Sequence, residues 1–360
     1  MFDVAIIGAG PAGLTAGISL AKQGFKTILL EKKSFPIDKP CGEGIMPAGV
    51  AILKKLGAFD KIINPESHYF EGIHYIASSR EIQANFLEGP GLAIRRPLLS
   101  KALLEVASPI SELFIEENTP VLSLQFSENM TILETEKSQI QTRFLIGADG
   151  LRSPTRHWLG LEMPATKIRR YGAVQHYAIK PWNSKVEIHW SPGLEAYITP
   201  CSADEIGVAF LWDKDRYEPP MLGRNLIDGF LLSFPELRER FDNKQKIGPT
   251  RSTGPFCHPV KSPISHRAAL IGDAAGYLDP ITGEGISLGL KSALLLTDCL
   301  IQNKDLSWYA RNLKKSRRSY YLTTQSLLFC AKHERLFQTT IGFLNKHPQI
   351  FQRLLSLNMG

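Results

Sequence analysis

Paired cysteines, long apolar runs, internal repeats and Gly/Ser linkers are all missing from this chain of 360 residues, and each absence removes a class of protein. The five cysteines, Cys41, Cys201, Cys257, Cys299 and Cys330, are odd in number and show no CxxC or other ligand spacing. Neither a disulfide framework nor a bound metal is expected, and the thiols read as reduced. Every apolar run is broken by charge before it could span a bilayer, and Met1 leads directly into a strand pattern rather than a leader peptide; the expected location is the cytoplasm. No nucleic-acid-binding motif accompanies the charge, so no nucleic acid partner is expected. The composition, 43% hydrophobic and 21% charged, is that of a globular protein too long for one ordinary core.

The formal net charge is +7, and the excess gathers at Arg311, Lys314, Lys315, Arg317 and Arg318. Such a run is ordinarily a solvated helix face. The sharper expectation is peripheral contact with an anionic membrane surface, or attraction to the phosphates of a nicotinamide donor.

At the N-terminus an apolar run of β type, Phe2 to Ile7, meets Gly8-Ala9-Gly10-Pro11-Ala12-Gly13 and then an amphipathic stretch reaching Gln23-Gly24. A second apolar run, Lys26 to Leu30, ends on Glu31, with Lys32 beside it. Strand, GxGxxG turn, helix, strand and acid form a βαβ dinucleotide-binding unit. The first glycine makes the tight turn, the second admits a pyrophosphate to the backbone, and the third lets helix pack on strand, while the acid meets a ribose. Two later turns are built alike: Gly147-Ala148-Asp149-Gly150 and Gly272-Asp273, the latter followed by Pro280, Gly283, Glu284, Gly285 and Ile286. Three such turns converging on one extended cofactor is the expected arrangement. A second nucleotide fingerprint is missing after residue 24, so any nicotinamide would visit transiently.

Taken together, these residues resemble the flavoprotein family of group A aromatic hydroxylases, flavin-dependent halogenases and geranylgeranyl reductases. The resemblance runs over nearly the whole chain. It implies an α/β fold: a Rossmann-type FAD-binding domain (residues 1–67, 91–168 and 251–303), an inserted β-rich substrate domain (68–90 and 169–250) and a C-terminal helical extension (304–360). It implies non-covalent FAD and NAD(P)H as a transient electron donor. By this likeness Gly8, Gly10, Pro11, Ala12 and Gly13 hold the FAD pyrophosphate, Glu31 the adenosine ribose and Asp273 the ribityl chain. Asp149 and Gly150 fall where FAD and NAD(P)H are both approached, Arg96 at a helix start near the cofactor, and Pro280 to Ile286 at the flavin's pyrimidine edge.

The segment Lys39-Pro40-Cys41-Gly42-Glu43-Gly44 resembles the PCG loop of geranylgeranyl reductases, which passes near the isoalloxazine. Cys41 reads as redox-active, as a tether for the flavin, or as a small residue in a tight loop. Cys41, Glu43, Tyr197 and Glu284 are the flavin-proximal candidates, without an assigned catalytic role. Tyr197 also reads as a core aromatic of its strand, which is the commoner place for one, and Glu284 as a helix cap. His74, His176 and His189 could exchange protons but read as structural, with no paired arrangement and no paired carboxylates in view. The halogenase WxWxIP signature is missing. The favoured expectation is an NAD(P)H-driven monooxygenase acting on a small apolar or aromatic substrate through a flavin C4a-hydroperoxide. The alternative is a reductase of isoprenoid double bonds, and a third reading is a non-catalytic lipid or prenyl binder.

Overall fold

The computed structural model describes residues 1–63, 67–77, 80–164, 166, 168–220 and 225–357. β1 (Phe2–Ile7) is central because Val4 to Ile7 are all apolar and can be covered on both faces. It pairs in parallel with Gln139–Gly147 on one side and with β2 (Thr27–Leu30) on the other. The eight-stranded sheet is extended by Ala268–Leu270 beyond Gln139–Gly147 and by Leu113–Glu116 beyond β2, both parallel. The C-terminal ends of β1, Gln139–Gly147 and Ala268–Leu270 therefore lie side by side, and each leads into one of the three glycine turns.

α1 (Pro11–Ala21) starts from an extended Gly10 with Pro11 in its first turn, where a missing N–H costs nothing. It packs with Arg96–Ala107 and the long helix Gly285–Ile301 in the main core of this layer.

Seven strands make the second sheet, in the order Lys246–Thr253, Arg170–Tyr177, Ile206–Asp213, Leu194–Pro200, Val186–Ser191, Gly72–Ala77 and Arg80–Asn85. All pairs are antiparallel except Gly72–Ala77 against Val186–Ser191. Alternation along these strands separates two cores. Ile198, Val208 and Phe210 meet Phe230 and Phe234 of the short helices behind, while Ile188, Tyr197 and Leu211 join Met46, Phe70 and Phe256 in front. The C-terminal helices Glu334–Lys346 and Pro348–Leu357 close over strand Arg80–Asn85, burying Phe337, Ile341 and Phe351 with Ile82 and Trp190.

Two expectations change. The short alternating segments from Leu113 to Ile146 suggest a small antiparallel meander, but the first and last strands enter the parallel sheet, and only Val121–Phe126 and Thr131–Thr135 hang from it as a hairpin. The strand Lys246–Thr253 was invisible to an apolar pattern because it is an edge strand that is half-exposed and polar. The sequence pattern suggests a short helix near Met221 to Leu232; among the described residues it spans Leu226–Leu231, and residues 221–224 lie outside them.

Candidate functional site

A cavity of about 550 Å³ opens where the three turns converge and runs on to the inner face of the second sheet. Its dinucleotide-binding end is a set of close backbone approaches. Gly8 has φ +103°, and a Cβ there would lie 2.6 Å from the Ala148 carbonyl oxygen; a Cβ at Gly13 would lie 1.9 Å from the Gly8 oxygen. Gly10, in contrast, has nothing within 4 Å of a Cβ and faces the open cavity. The first and third glycines thus hold the turn tight, and the second leaves room for a ligand on the helix N-terminus. Glu31 is buried with its carboxylate accepting from Ala9 N–H at 2.9 Å and Lys33 N–H at 3.0 Å, and both Glu31 and Lys32 line the wall.

Asp149 lines the wall too, but its oxygens are occupied: they accept from the Ser153 hydroxyl and from the N–H and hydroxyl of Thr155, the latter two at 2.9 and 2.8 Å. Its role in this structure is to start the helix at Pro154–Trp158. Asp273 is different. Its carboxyl faces the cavity, where burial pushes its pKa up against the pull of Lys39, Arg317 and Arg96. Arg96 also lines the cavity, and its buried Nε has no hydrogen-bond partner among the described residues.

Arg317, read from sequence as one of a solvated run, is instead buried. It donates to the carbonyls of Ala275 at 2.8 Å, Gly276 at 2.9 Å and Gly272 at 2.9 Å. Arg156 reaches the same turn from the other side, near the carbonyls of Asp273 and Ala274. No spacing rule could have found Arg317, because the turn it clamps lies more than forty residues upstream.

The Cys41 loop is held by Glu43, which sits in the left-handed region at φ +61° and is buried. One carboxylate oxygen lies 2.6 Å from His176 Nε2 and accepts from the Cys201 thiol at 3.3 Å; the other accepts from Arg96 N–H at 3.3 Å. Burial first, then Glu43, pushes the Cys201 pKa well up, keeping it a donor. The three side chains place ligand-type atoms within 4.8 Å of one another. They bond each other directly, however, with Arg95 Nε 3.8 Å from the same carboxylate, and the group is a latch between loop and sheet.

The expectation that no histidine is paired is therefore overturned three times. His176 meets Glu43, His189 meets Glu187 at 3.1 Å and His74 meets Glu81 at 3.0 Å. Only the His189–Glu187 pair carried a local signal, two residues apart on one strand face. The expectation of no paired carboxylates fails as well. Arg170 bridges Glu195 at 2.6 Å and Asp279 at 2.8 Å, all three buried. Burial opposes the guanidinium's charge, but the two carboxylates outweigh it and raise its pKa. This cluster ties the second sheet to the loop before Pro280. Tyr197 does the same one residue layer away, donating to the Ile281 carbonyl at 2.8 Å while its ring lines the cavity.

Of the expected site residues, Gly13 and Glu284 lie behind the wall formed by the described residues, and the others line it. Glu284 holds the position before helix Gly285–Ile301 but makes no capping bond; its Oε2 is buried without a partner among the described residues. Burial, outweighing Thr282 and Lys291, raises its pKa from 4.5 to about 7. Below pH 4.5 the carboxyl is protonated folded and unfolded alike. Between 4.5 and 7 only the unfolded chain ionises, so stability falls with rising pH. Glu284→Gln should therefore leave acid stability unchanged and add about 3 kcal/mol above pH 7. Denaturant melts across pH 4 to 8 (about the range in which a carboxyl titrates) check this, and parallel curves for the two proteins would refute it.

Turn glycines, an acid just past β2, an arginine whose Nε is unpartnered among the described residues and an aspartate on the cavity wall make the polar set that an extended dinucleotide needs. A parallel sheet with this site at its carboxyl edge defines a dinucleotide-binding protein. The chain belongs to the FAD binding domain family, whose model matches residues 1–206. It is similar to the menaquinone reductase of Mycobacterium tuberculosis, 29% identical over 89% of this chain and 84% of that one. It is similar as well to digeranylgeranylglycerophospholipid reductase 3 of Methanosphaera stadtmanae, 26% identical over 85% of this chain and 79% of that one. The conditioned medium factor receptor 1 of Dictyostelium discoideum is 27% identical over 85% of this chain, which spans 65% of that relative's length. Among solved structures, a flavoprotein/dehydrogenase from Cytophaga hutchinsonii superposes with a TM-score of 0.84 at 19% identity, covering 98% of this chain and 92% of that one. The chain is an FAD-dependent oxidoreductase of mixed α/β fold.

Proposed function

We propose that this oxidoreductase reduces a double bond in an apolar, isoprenoid-like substrate, with electrons brought to FAD by a nicotinamide that visits transiently. The observation that carries this reading is the place of Cys41. It stands on the wall of the one cavity that both the nucleotide-cradle turns and the apolar side chains of Phe70, Ile73, Val186, Ile188 and Phe256 line. Burial pushes the thiol's pKa up, more than Arg96 lowers it, so Sγ keeps its proton at neutral pH. FAD bound here would supply hydride-transfer chemistry; reduction of an alkene also needs a proton, and Cys41 holds one on the cavity wall. The Glu43 latch fixes that thiol, whose Sγ accepts from Glu43 N–H at 3.2 Å. The apolar wall orients a hydrocarbon chain and excludes water. Two of the relatives above are reductases by name, in line with this reading.

The test is anaerobic incubation of the FAD-loaded protein with NADPH or dithionite and geranylgeraniol as probe, followed by mass spectrometry. A product with two added hydrogens is expected. Cys41→Ala should lower its rate by about a hundredfold, the scale of a lost general acid, with FAD still bound. A substrate that stays unchanged without air but gains an oxygen atom in air would overturn the proposal and establish monooxygenation, the reading favoured from sequence.

A further inference from the structure

The C-terminal helices do not share the charge balance of the rest of the chain. Residues 306–357 contain nine lysines and arginines and one acid, Glu334, so they hold more than the whole excess of +7, and the remainder is close to neutral. The same helices expose six large apolar side chains: Leu322, Phe329, Leu336, Phe343, Ile350 and Leu354, each between 40% and 57% accessible. Their spacing is regular. Leu322 and Phe329 lie seven apart on helix Arg318–Lys332, Leu336 and Phe343 seven apart on Glu334–Lys346, and Ile350 and Leu354 four apart on Pro348–Leu357. Seven residues is close to two helical turns and four close to one, so each pair shares a face. Other faces of the last two helices are already taken: Phe337, Ile341 and Phe351 pack on the second sheet. Arg318, Lys332, Arg335, Lys346 and Arg353 are exposed on the same three helices.

We infer that this outer face is a docking surface for an anionic lipid bilayer, with the apolar pairs entering the headgroup boundary and the basic side chains meeting lipid phosphates. Apolar pairs flanked by cations on helices with almost no acid match an interface that is both hydrocarbon and anionic. An acidic protein surface would satisfy the charge but leave the apolar pairs unexplained. Among the described residues no helix is long and apolar enough to cross a membrane, so the contact is interfacial. The face also lies near the cavity's apolar lining. Leu355, next to exposed Leu354, packs with Tyr75 against the cluster that contains the cavity residues Ile73, Val186, Ile188 and Phe256. A lipid-borne substrate would thus be held close to the apolar end of the cavity, and in this respect alone the inference rests on the reading above.

Co-sedimentation of the FAD-loaded protein with phosphatidylglycerol vesicles and with phosphatidylcholine vesicles tests it, without substrate or turnover, so a failed alkene reduction would leave the result intact. The protein should partition onto phosphatidylglycerol and much less onto phosphatidylcholine, with the difference screened by salt. Phe329→Ser/Phe343→Ser should weaken that partition by about tenfold, with bound FAD and melting temperature unchanged because both side chains are exposed. Lys332→Gln/Lys346→Gln should weaken it in the same direction and blunt the salt dependence. Equal partition onto both lipids, or a double-serine variant that binds as well as its parent, would overturn the inference. So would a parent protein that is dimeric in size-exclusion chromatography and becomes monomeric in the double-serine variant, for then a second copy covers the face.

Discussion

Arg170→Met should cost the folded protein about 3–5 kcal/mol, among the largest single losses this structure offers. Removing the guanidinium leaves Glu195 and Asp279 buried, at 2% and 0% accessible, with their shared counter-charge gone. Burial already raises the pKa of both carboxyls against the pull of Arg170. In the variant they would take up protons, and part of the loss should return as the pH falls toward about 5. Arg170→Met/Glu195→Gln/Asp279→Asn should recover more than the single variant at neutral pH, because an uncompensated charge, rather than a missing attraction, is the damage. Urea denaturation of the three proteins at two pH values measures this; a single variant as stable as its parent would show that the cluster contributes little. Since Asp279 immediately precedes Pro280, which lines the cavity, bound FAD should become easier to remove in the single variant.

Gly13→Ala and Gly10→Ala should separate two glycine roles that the GxGxxG pattern lists together. At Gly13 the new methyl would lie 1.9 Å from a backbone oxygen. The turn must open, and FAD affinity should fall about a hundredfold together with the melting temperature of the apoprotein. At Gly10 nothing lies within 4 Å, so the apoprotein should melt as before, and only FAD binding should weaken because the methyl takes space meant for the ligand. Titration with FAD followed by flavin fluorescence, alongside apoprotein melts, checks both. Equal melting losses in the two variants would mean that the open space at Gly10 is not what the structure describes.

What the chain reveals without coordinates is mostly what acts over short sequence distance. The β1–turn–α1–β2 unit was readable because strand, glycines, helix and Glu31 follow one another within about thirty residues, in one order, for one steric reason. The two later turns were readable for the same cause, and all but two of the expected site residues line one cavity. The second sheet was legible in its alternating strands and illegible at its polar edge, Lys246–Thr253. What escaped was every polar contact made across the fold. Glu43 and His176 are 133 residues apart, Arg170 and Asp279 are 109 apart, and Arg317 and Gly272 are 45 apart. A buried ion pair leaves no periodicity, since each partner reads locally as one polar residue in an apolar strand or one more charge in a basic run. Arg317 shows the difference most clearly: its neighbours Arg311, Lys314, Lys315 and Arg318 are solvated as the run predicts, and composition cannot tell the clamp from the others.

The backbone of Glu43 adopts a conformation that glycine reaches without cost and glutamate does not, at φ +61°. Bonds from His176, Cys201 and Arg96 N–H hold it there, and all three partners come from the chain itself. The loop that carries Cys41 is therefore pinned by intrachain bonds alone. Binding need not freeze its backbone, and the ordering entropy of roughly 1–2 kcal/mol per residue that a slack loop would lose on association is met during folding instead.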